Sequence, residues 1–317
     1  MPKLVTVVGA TGIQGGSVVK ALVNDEAYIV RGITRHKNSK AAKDLEAQGV
    51  EVVEADMNDL FSLREAFKGS YAIFGTTNFF EPFPSISIED AIQVESRKGI
   101  NLAKAAAETE GLTHYVWSTL PNSCRVSNGV INVPHYAGKN IVDDYIKSNL
   151  ALCQKTTFLW ITFYASNIQY PFYRPFPVST AGNGKYIQIQ ASPASVPISL
   201  SGDASVNVGI FVKSVLRQPQ KTLPGKFVLA ETDRMTAGEM LEAWASAQGK
   251  DAAYALVDKA MYYDMWPIWG ELMDLSHQYW NLVKEKSFSG EDEILTRNDL
   301  GVVGLVDTAA AFAAMKD

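Results

Sequence analysis

The first half of the chain alternates short apolar runs with longer segments in which apolar residues recur at helical spacing. The short runs are rich in β-branched and aromatic residues, which is typical of strands. The predicted strands span residues 4–8, 28–33, 50–55, 71–76, 115–118 and 157–163. The predicted helices span residues 15–23, 39–48, 60–67 and 88–108. This alternation predicts an α/β fold with a Rossmann-type, doubly wound parallel sheet, whose ligands bind beyond the carboxyl ends of the strands.

The pattern changes after about residue 167, where prolines and glycines interrupt the chain too often for long helices. These residues are Pro171, Pro175, Pro177, Gly182, Gly184, Pro193 and Pro197. Further along, residues 204–216 and 236–248 have helical character, and residues 226–230 form a predicted strand. We therefore predict a Rossmann domain over residues 1–166 and a smaller α+β substrate or partner lobe over residues 167–317, with sheet strands that the two parts can share.

Two local signals stand out in the second half. Thr236 and Glu239 have the spacing of a capping box, in which each side chain accepts a hydrogen bond from the other residue's backbone amide. Residues 261–280 are unusually aromatic, with Tyr262, Tyr263, Trp266, Trp269, Tyr279 and Trp280 around Pro267. We predict that this segment is helical and packs in the core. The alternative is that it forms an aromatic wall over a flat substrate.

Composition excludes several function classes. The 317 residues are 47% hydrophobic and 20% charged, which is ordinary for a globular protein. The formal net charge is -5 and no run of Lys or Arg occurs, so direct nucleic-acid binding is not expected. No apolar stretch reaches the roughly 18 residues of a membrane span, and no signal peptide precedes the first strand, so we expect a cytoplasmic protein without a membrane partner. Cys124 and Cys153 are too few for a structural zinc site, and no metal site is predicted.

A glycine-rich run follows the first predicted strand. Gly9 allows a sharp turn, Gly12 lets the backbone approach a phosphate without a Cβ, and Gly15 lets the next helix pack closely on the sheet. Free amides at the start of that helix favour an anion. With a strand before it and a helix after it, this GxxGxxG turn predicts a site for the pyrophosphate of a dinucleotide. The residues predicted to bind it are Gly9, Thr11, Gly12, Ile13, Gln14 and Gly15.

The ends of the next strands predict which dinucleotide binds. An NAD-specific domain carries an acidic residue at the end of the second strand, whereas this chain has Thr34 and Arg35 there. A guanidinium can pair with a 2′-phosphate that a carboxylate would repel, so NADP(H) is the predicted cofactor, and a solvated basic loop is the alternative. Asp56 and Met57, after the third strand, are expected beside the adenine, with surface capping as the alternative for Asp56. Thr76 ends the fourth strand and completes the predicted site.

With these motifs, the sequence resembles the NmrA-like family, atypical members of the short-chain dehydrogenase/reductase superfamily. The segments that carry the resemblance are residues 9–18, Thr34-Arg35, Val133-Pro134-His135-Tyr136-Ala137-Gly138-Lys139 and Thr236-Ala237-Gly238-Glu239. The resemblance implies a Rossmann-type fold with an NADP(H) site. It also implies one of two activities, because the family contains reductases of carbonyls, imines or conjugated double bonds as well as redox sensors or transcriptional co-regulators that bind the dinucleotide without turning it over.

The resemblance further implies catalytic positions, and the chain departs from the superfamily at one of them. The superfamily uses a Tyr-x-x-x-Lys pair, in which tyrosine donates a proton and lysine binds the nicotinamide ribose. Here Lys139 has His135 four residues before it and Tyr136 three before it, so an imidazole stands at the tyrosine position. All three can share one helix face towards the cofactor. Ser118 ends the fifth strand, where the superfamily keeps a substrate-orienting hydroxyl. The alternatives are a strand cap for Ser118 and a core residue for His135.

Two functions are compatible with these residues. In an NADPH-dependent reductase, the substrate would stack on the nicotinamide under the small lobe, and Lys139 or a neighbouring hydroxyl would polarise the acceptor. Phe79, Phe80, Phe83 and Trp266 favour a cavity for a ring-containing molecule, so the reductase is preferred. The alternative is a regulator in which NADP(H) shifts an equilibrium that a partner protein recognises. The expected partner is therefore a small-molecule substrate or a regulatory protein, and the oligomeric state stays open, a homo-oligomer included.

Overall fold

A parallel sheet forms the centre of the fold. The computed structural model describes residues 1–179 and 185–315, which leaves Gly182 and Gly184 outside the described part. The first six strands have nearly the predicted bounds and are β1 (Lys3–Val7), β2 (Tyr28–Thr34), β3 (Glu51–Glu54), β4 (Ala72–Gly75), β5 (His114–Thr119) and β6 (Thr156–Ile161). The later strands are β7 (Phe176–Pro177), β8 (Lys185–Gln190), β9 (Pro197–Leu200), β10 (Lys226–Ala230), β11 (Asp233–Thr236), β12 (Asp251–Leu256) and β13 (Ile294–Leu295).

Eight of these strands make the central sheet, in the order β13-β10-β6-β5-β4-β1-β2-β3. Every pair in it is parallel. The chain moves outwards in one direction from β1 and in the other from β4. The point between β1 and β4 is therefore the topological switch point, and ligands of open parallel sheets bind beyond the strand ends there.

Helices cover both faces of the sheet. The helices before β7 are α1 (Ile13–Leu22), α2 (Lys40–Glu46), α3 (Leu60–Phe67), α4 (Ile88–Ala107), α5 (Ser123–Val126), α6 (Pro134–Ser148) and α7 (Leu150–Cys153). The later helices are α8 (Ala204–Arg217), α9 (Pro219–Thr222), α10 (Ala237–Ala247), α11 (Lys259–Met265), α12 (Trp269–Val283) and α13 (Thr308–Ala314). Two short 3₁₀ helices span Ala165–Gln169 and Lys284–Lys286.

The two faces have separate apolar cores, because successive side chains of a strand point to opposite sides. Val116 and Leu159 belong to the core under α1 and α8. Their neighbours Trp117 and Phe158 belong to the core under α4 and α6. The predicted doubly wound Rossmann-type architecture is confirmed.

The second half of the chain contributes to the same sheet. β10 pairs with β6, and β13 pairs with β10. α8 packs against α1 at close range, since a Cβ at Gly209 would lie 2.1 Å from the carbonyl oxygen of Ser17. The rest of the second half forms the smaller lobe, with a three-stranded sheet of β7, β8 and β12 and a β9–β11 pair. Segments on both sides of residue 166 therefore build the central layer.

The lobe contains the two signals noted in the sequence. Thr236 caps α10 with the reciprocal Glu239 hydrogen bonds of a capping box, as predicted. The aromatic segment divides into α11 and α12 at residues 266–268, where Ile268 has a φ of 70°. Tyr262 and Tyr279 are buried as predicted for core. Within residues 1–179 and 185–315, no helix is long and apolar enough to cross a membrane.

Candidate functional site

One large cavity lies beyond the carboxyl ends of the central strands and continues under the smaller lobe. Its volume is about 1170 Å³. The predicted site residues that line it are Gly9, Thr11, Gly12, Ile13, Gln14, Gly15, Thr34, Arg35, Met57, Thr76, Ser118, His135, Tyr136 and Lys139. Asp56 does not line it: its carboxylate accepts hydrogen bonds from the backbone amide and side chain of Asn58, which is the capping alternative.

The glycine turn forms one end of the cavity. Gly9 has φ 66°, a left-handed conformation that glycine adopts without strain. A Cβ at Gly15 would lie 2.2 Å from the Gly9 carbonyl oxygen, so only glycine lets α1 approach the turn this closely. Gly12 is the N-cap of α1 and provides no capping side chain, whereas Ser39 caps α2 and Ser87 caps α4. The first amides of α1 therefore stay available to an anion, and the turn fits a pyrophosphate.

Gln14 connects this turn to the strands that follow. Its carboxamide oxygen accepts hydrogen bonds from Ser118 Oγ at 2.7 Å and from Thr76 Oγ1 at 3.3 Å. Its nitrogen donates to the hydroxyl of Tyr164 at 2.6 Å. Because a hydroxyl has one proton to donate, Ser118 presents only its acceptor lone pairs to other groups while this bond holds.

Arg35 lies beyond the end of β2, as predicted, and lines the cavity. Its guanidinium forms an ion pair with Glu81, which follows β4. Glu81 pairs in turn with Lys98 of α4, with 2.7 Å between the ammonium nitrogen and the carboxylate. The basic residue at the end of β2 is thus already in contact with an acid from another loop.

Lys139 lies on α6 and projects inwards. Its ammonium donates to the carbonyl oxygen of Thr77 at 2.9 Å and to Thr77 Oγ1 at 3.0 Å, and it lies 3.1 Å from Glu95 Oε1. These contacts hold the ammonium between Thr77 and Glu95. The Glu95 side chain is fully buried, and its second oxygen has no hydrogen-bond partner among the described residues. A Cβ at Gly138 would lie 2.7 Å from that oxygen, which explains the glycine before Lys139.

His135 and Tyr136 begin the same helix. Burial and the nearby Lys139 ammonium lower the pKa of His135 to about 3, so its imidazole is neutral at physiological pH. Its ring packs against Phe80, with 5.3 Å between centroids. Burial raises the pKa of Tyr136 well above its usual value, and its ring packs edge-to-face on Tyr279. Neither group is therefore a ready acid at neutral pH, although both line the cavity.

The part of the cavity under the smaller lobe is lined by large apolar rings, and we call it the aromatic chamber. Its lining residues include Phe163, Tyr164, Phe172, Tyr173, Met265, Trp266, Trp269, Met273 and Trp280. Trp269 stacks on Phe172 and on Phe80, with centroid separations of 5.7 and 5.9 Å. The second half of the chain contributes no charged side chain to the lining that the structure describes. The sequence segment 261–280 thus supplies both core and an aromatic wall.

Comparison with known proteins identifies the family. Residues 1–300 match the NmrA-like family. The chain belongs to the NmrA-like family. One relative, an NmrA-like family domain-containing oxidoreductase of Aspergillus hancockii, is 33% identical over 165 residues, and the chain spans about half of its length, with 52% of this chain and 48% of the relative aligned. An oxidoreductase of the same description from Aspergillus campestris is 28% identical over 258 residues, covering 79% of this chain and 74% of the relative.

Solved structures share the fold of this NmrA-like protein at low sequence identity. NmrA, a negative transcriptional regulator, in complex with NADP superposes with a TM-score of 0.74 at 20% identity, over 99% of this chain and 95% of that one. The complex of NmrA with NAD superposes with a TM-score of 0.75. The Citrobacter sp. triphenylmethane reductase complexed with NADP(H) gives 0.67 at 17% identity, over 98% of both chains. The fold therefore occurs both in a regulator and in a reductase.

Several residues of the site escaped sequence reasoning. Glu81 and Tyr164 reach it from loops that carry no motif. Glu95 had a usable signal, because with Ala91 and Leu102 it falls on the apolar face of α4, where a charge needs a partner. No group of three or more His, Cys, Asp or Glu side chains that could hold a metal ion occurs in the described ranges.

A buried carboxylate fixes α6 of this NmrA-like protein to the sheet. Asp143, one turn after Lys139, accepts hydrogen bonds from Trp117 Nε1 and Thr119 Oγ1 of β5, both at 2.8 Å. Burial raises the pKa of Asp143 to about 7, although the two hydrogen bonds and Lys147 oppose this. Because the pKa of Asp143 is higher in the folded protein than in the unfolded protein, the folded protein binds this proton more tightly than the unfolded one does.

We expect this carboxylate to make stability depend on pH. The stabilisation from Asp143 is fully present below about pH 4, the pKa of this side chain in the unfolded protein. It is lost as the pH rises to about 7, the pKa in the folded protein. Relative to Asp143→Asn, the wild-type free energy of unfolding should fall by about 1 kcal/mol per pH unit between pH 5 and 7 and level off above. Urea unfolding of both proteins at pH 5 to 8.5 measures this difference. A difference that does not vary with pH would contradict the assignment.

Proposed function

We propose that this protein is an NADPH-dependent reductase of a small, ring-containing carbonyl, imine or conjugated alkene. The observation that carries the proposal is the continuity of one cavity from the glycine turn to the aromatic chamber. A dinucleotide bound at the turn would have room beside it for a second molecule, and ring-lined walls favour a flat apolar one. The names of the oxidoreductase relatives support the same class of activity.

The lining of the aromatic chamber narrows the substrate class further. Among the charged side chains that line the described cavity, Arg35 and Glu81 lie beyond β2 and β4, and Lys139 is already paired with Glu95. A substrate carboxylate or phosphate would therefore find no free cation in the chamber, and burying it unpaired would be unfavourable. The proposed substrate is neutral.

The chain's own residues would act mainly by positioning and electrostatics. When bound, NADPH supplies the hydride for the reduction. Lys139 would exchange one Thr77 hydrogen bond for a ribose hydroxyl, and its positive charge would stabilise negative charge that develops on the acceptor atom. Ser118 would exchange its hydrogen bond to Gln14 for one to the acceptor group and so orient it, while the neutral His135 ring would form part of the wall.

A preference for NADP(H) over NAD(H) is the second part of the proposal, and it rests on Arg35. Arg35→Ala should weaken NADP+ binding by about ten- to hundredfold, because a charge-assisted bond to the 2′-phosphate contributes about 1.5–3 kcal/mol. NAD+ lacks that phosphate, so its affinity should change little. Calorimetric titration with both dinucleotides measures the ratio, with Arg64→Ala, outside the cavity, as the control. A variant that keeps the wild-type preference for NADP+ would exclude Arg35 as the selecting residue.

A second candidate function is an NADP(H)-sensing regulator that acts through a partner protein. One observation favours it: an imidazole of low pKa occupies the position of the superfamily's proton donor, and Tyr136 is buried. NmrA, which has a similar fold, is a negative transcriptional regulator. The size of the cavity weighs against this candidate, since a site that only senses a dinucleotide has no need of the aromatic chamber.

A substrate screen distinguishes the two candidates. The wild-type protein is mixed with NADPH and with a panel of neutral aromatic and alicyclic aldehydes, ketones, imines and enones, and the NADPH absorbance is followed. We expect oxidation with ring-containing members of the panel and none with their carboxylate analogues. Tight NADPH binding without oxidation by any member would favour the regulator.

A further inference from the structure

The arginine expected to select the 2′-phosphate is neutralised within the protein. Arg35 and Glu81 form an ion pair, and both line the cavity. The side chain of Arg35 is 54% exposed and that of Glu81 is 25% exposed, so the pair lies at the mouth of the cavity, where an incoming anion can reach it. Any phosphate that binds Arg35 therefore meets a carboxylate already on the guanidinium.

Glu81 has a second cation that would remain after Arg35 leaves. The Lys98 ammonium lies 2.7 Å from Glu81 Oε2, while Arg35 contacts Oε1. Lys98 is the more buried partner, with 10% of its side chain exposed. Burial alone would raise the pKa of Glu81, but Lys98 and Arg35 outweigh it and hold that pKa below its usual value. Glu81 is thus ionised at neutral pH and can release Arg35 without becoming an unpaired charge.

We propose that Glu81 is a specificity-determining residue of the cofactor site, whose carboxylate competes with the 2′-phosphate of NADP(H) for Arg35. This inference rests on the proposed preference for NADP(H) over NAD(H). It adds that Glu81 makes this preference smaller than it would be if Arg35 had no carboxylate partner. NAD(H) carries a hydroxyl in place of the phosphate and does not need the guanidinium to be released. The Arg35–Glu81 pair therefore lowers the affinity for NADP(H) and leaves the affinity for NAD(H) nearly unchanged.

The size of the effect follows from the setting of the pair. Two unit charges about 4 Å apart in water-like surroundings interact by about 1 kcal/mol, and exposed ion pairs contribute up to that amount. Removing the carboxylate's charge should therefore tighten NADP+ binding by about three- to fivefold. The effect on NAD+ should stay below about twofold.

The test uses Glu81→Gln in the full chain, with calorimetric titration of NADP+ and NAD+ at low ionic strength. Oxidised cofactors bind without turnover, so the measurement is independent of any substrate. Glu108→Gln is the matched control, because Glu108 forms an exposed ion pair with Arg64 outside the cavity and carries the same charge. We expect tighter NADP+ binding in Glu81→Gln and no selective change in Glu108→Gln.

The other outcomes overturn the inference. Unchanged or weaker NADP+ binding in Glu81→Gln would mean that Glu81 holds Arg35 in place for the phosphate instead of competing with it. Equal tightening for NADP+ and NAD+ would mean a general charge effect without selectivity. A wild-type protein that binds no NADP+ would contradict the proposed cofactor itself, a result distinct from both of these.

Discussion

A Gly12→Val variant is expected to lose dinucleotide binding by at least about 100-fold while keeping its fold. Gly12 begins α1 with φ -91° and ψ 178°, a conformation that any residue adopts. A Cβ there would lie 3.3 Å from the Gly9 carbonyl oxygen, so this oxygen would have to move by a few tenths of an ångström. The valine methyl groups would instead occupy the space in which the pyrophosphate meets the amides of α1. Losing two such charge-assisted hydrogen bonds removes about 3–6 kcal/mol of binding free energy.

Calorimetry with NADP+ and thermal unfolding measure the two halves of this prediction. Gly16→Ala is the matched control, since its Cβ would lie 3.4 Å from the Ala10 carbonyl oxygen, in ordinary contact, and should affect neither binding nor stability much. Gly15→Ala should differ from both, because its Cβ would lie 2.2 Å from the Gly9 oxygen and the turn itself would have to move. Normal NADP+ binding by Gly12→Val would mean that the phosphates lie elsewhere.

Loss of the Lys139 ammonium is expected to reduce turnover by about 10²- to 10³-fold, with a much smaller effect on cofactor affinity. A positive charge that stabilises developing negative charge acts mainly in the transition state, so its removal appears in the rate. Lys139→Met alone is a poor test, however. It would leave the buried Glu95 side chain without its cationic partner, and breaking a buried ion pair in this way costs about 3–5 kcal/mol of stability. The double variant Lys139→Met/Glu95→Gln removes both charges together.

The comparison that isolates the ammonium is Lys139→Met/Glu95→Gln against Glu95→Gln. In the single variant, the glutamine oxygen can still accept the Thr77 hydroxyl, so Lys139 keeps its Thr77 contacts. Lys139 loses its carboxylate partner there, and thermal unfolding of this variant measures that cost. Steady-state rates with the best substrate of the screen, together with NADP+ affinity and thermal unfolding, separate catalysis from binding and folding. A regulator would lose affinity only. An active enzyme with equal rates in the two variants would remove Lys139 from the reaction and leave Ser118, His135 and Tyr136 as candidates.

The residues around the glycine turn could be predicted to lie together because their signals are local. Gly9, Gly12 and Gly15 sit within one turn after a strand of clear pattern, and the parallel topology brings Arg35 and Thr76 to the same edge. Strand position also predicted that Asp56 lies beside the adenine, but its carboxylate accepts hydrogen bonds from Asn58, two residues later. A short-range hydrogen bond of this kind competes with any ligand role, and strand position alone does not reveal it.

The substrate end could be predicted only in part: of the four aromatic residues expected there, Phe79, Phe80 and Trp266 line the cavity and Phe83 does not. The rest could not be predicted, because the contacts join distant segments. The Gln14 carboxamide meets Tyr164 across 150 positions, and Trp269 stacks on Phe80 from the far end of the chain. The aromatic segment near residue 270 had two interpretations, and both hold: Tyr262 and Tyr279 are buried in the core, whereas Trp266 and Trp269 line the cavity. Likewise, β10 had a clear strand pattern, but nothing in it specified β6 as its neighbour.

A crystal structure of the protein with NADP+ tests the central claim most directly, namely that one cavity holds the cofactor along the glycine turn and leaves the aromatic chamber for a substrate. We predict that the pyrophosphate contacts the amides at the start of α1, the 2′-phosphate contacts Arg35, and the nicotinamide lies near Lys139 with the ring-lined space still open. Pyrophosphate bound away from Gly12, or a nicotinamide that fills the chamber between Trp269 and Tyr173, would contradict it.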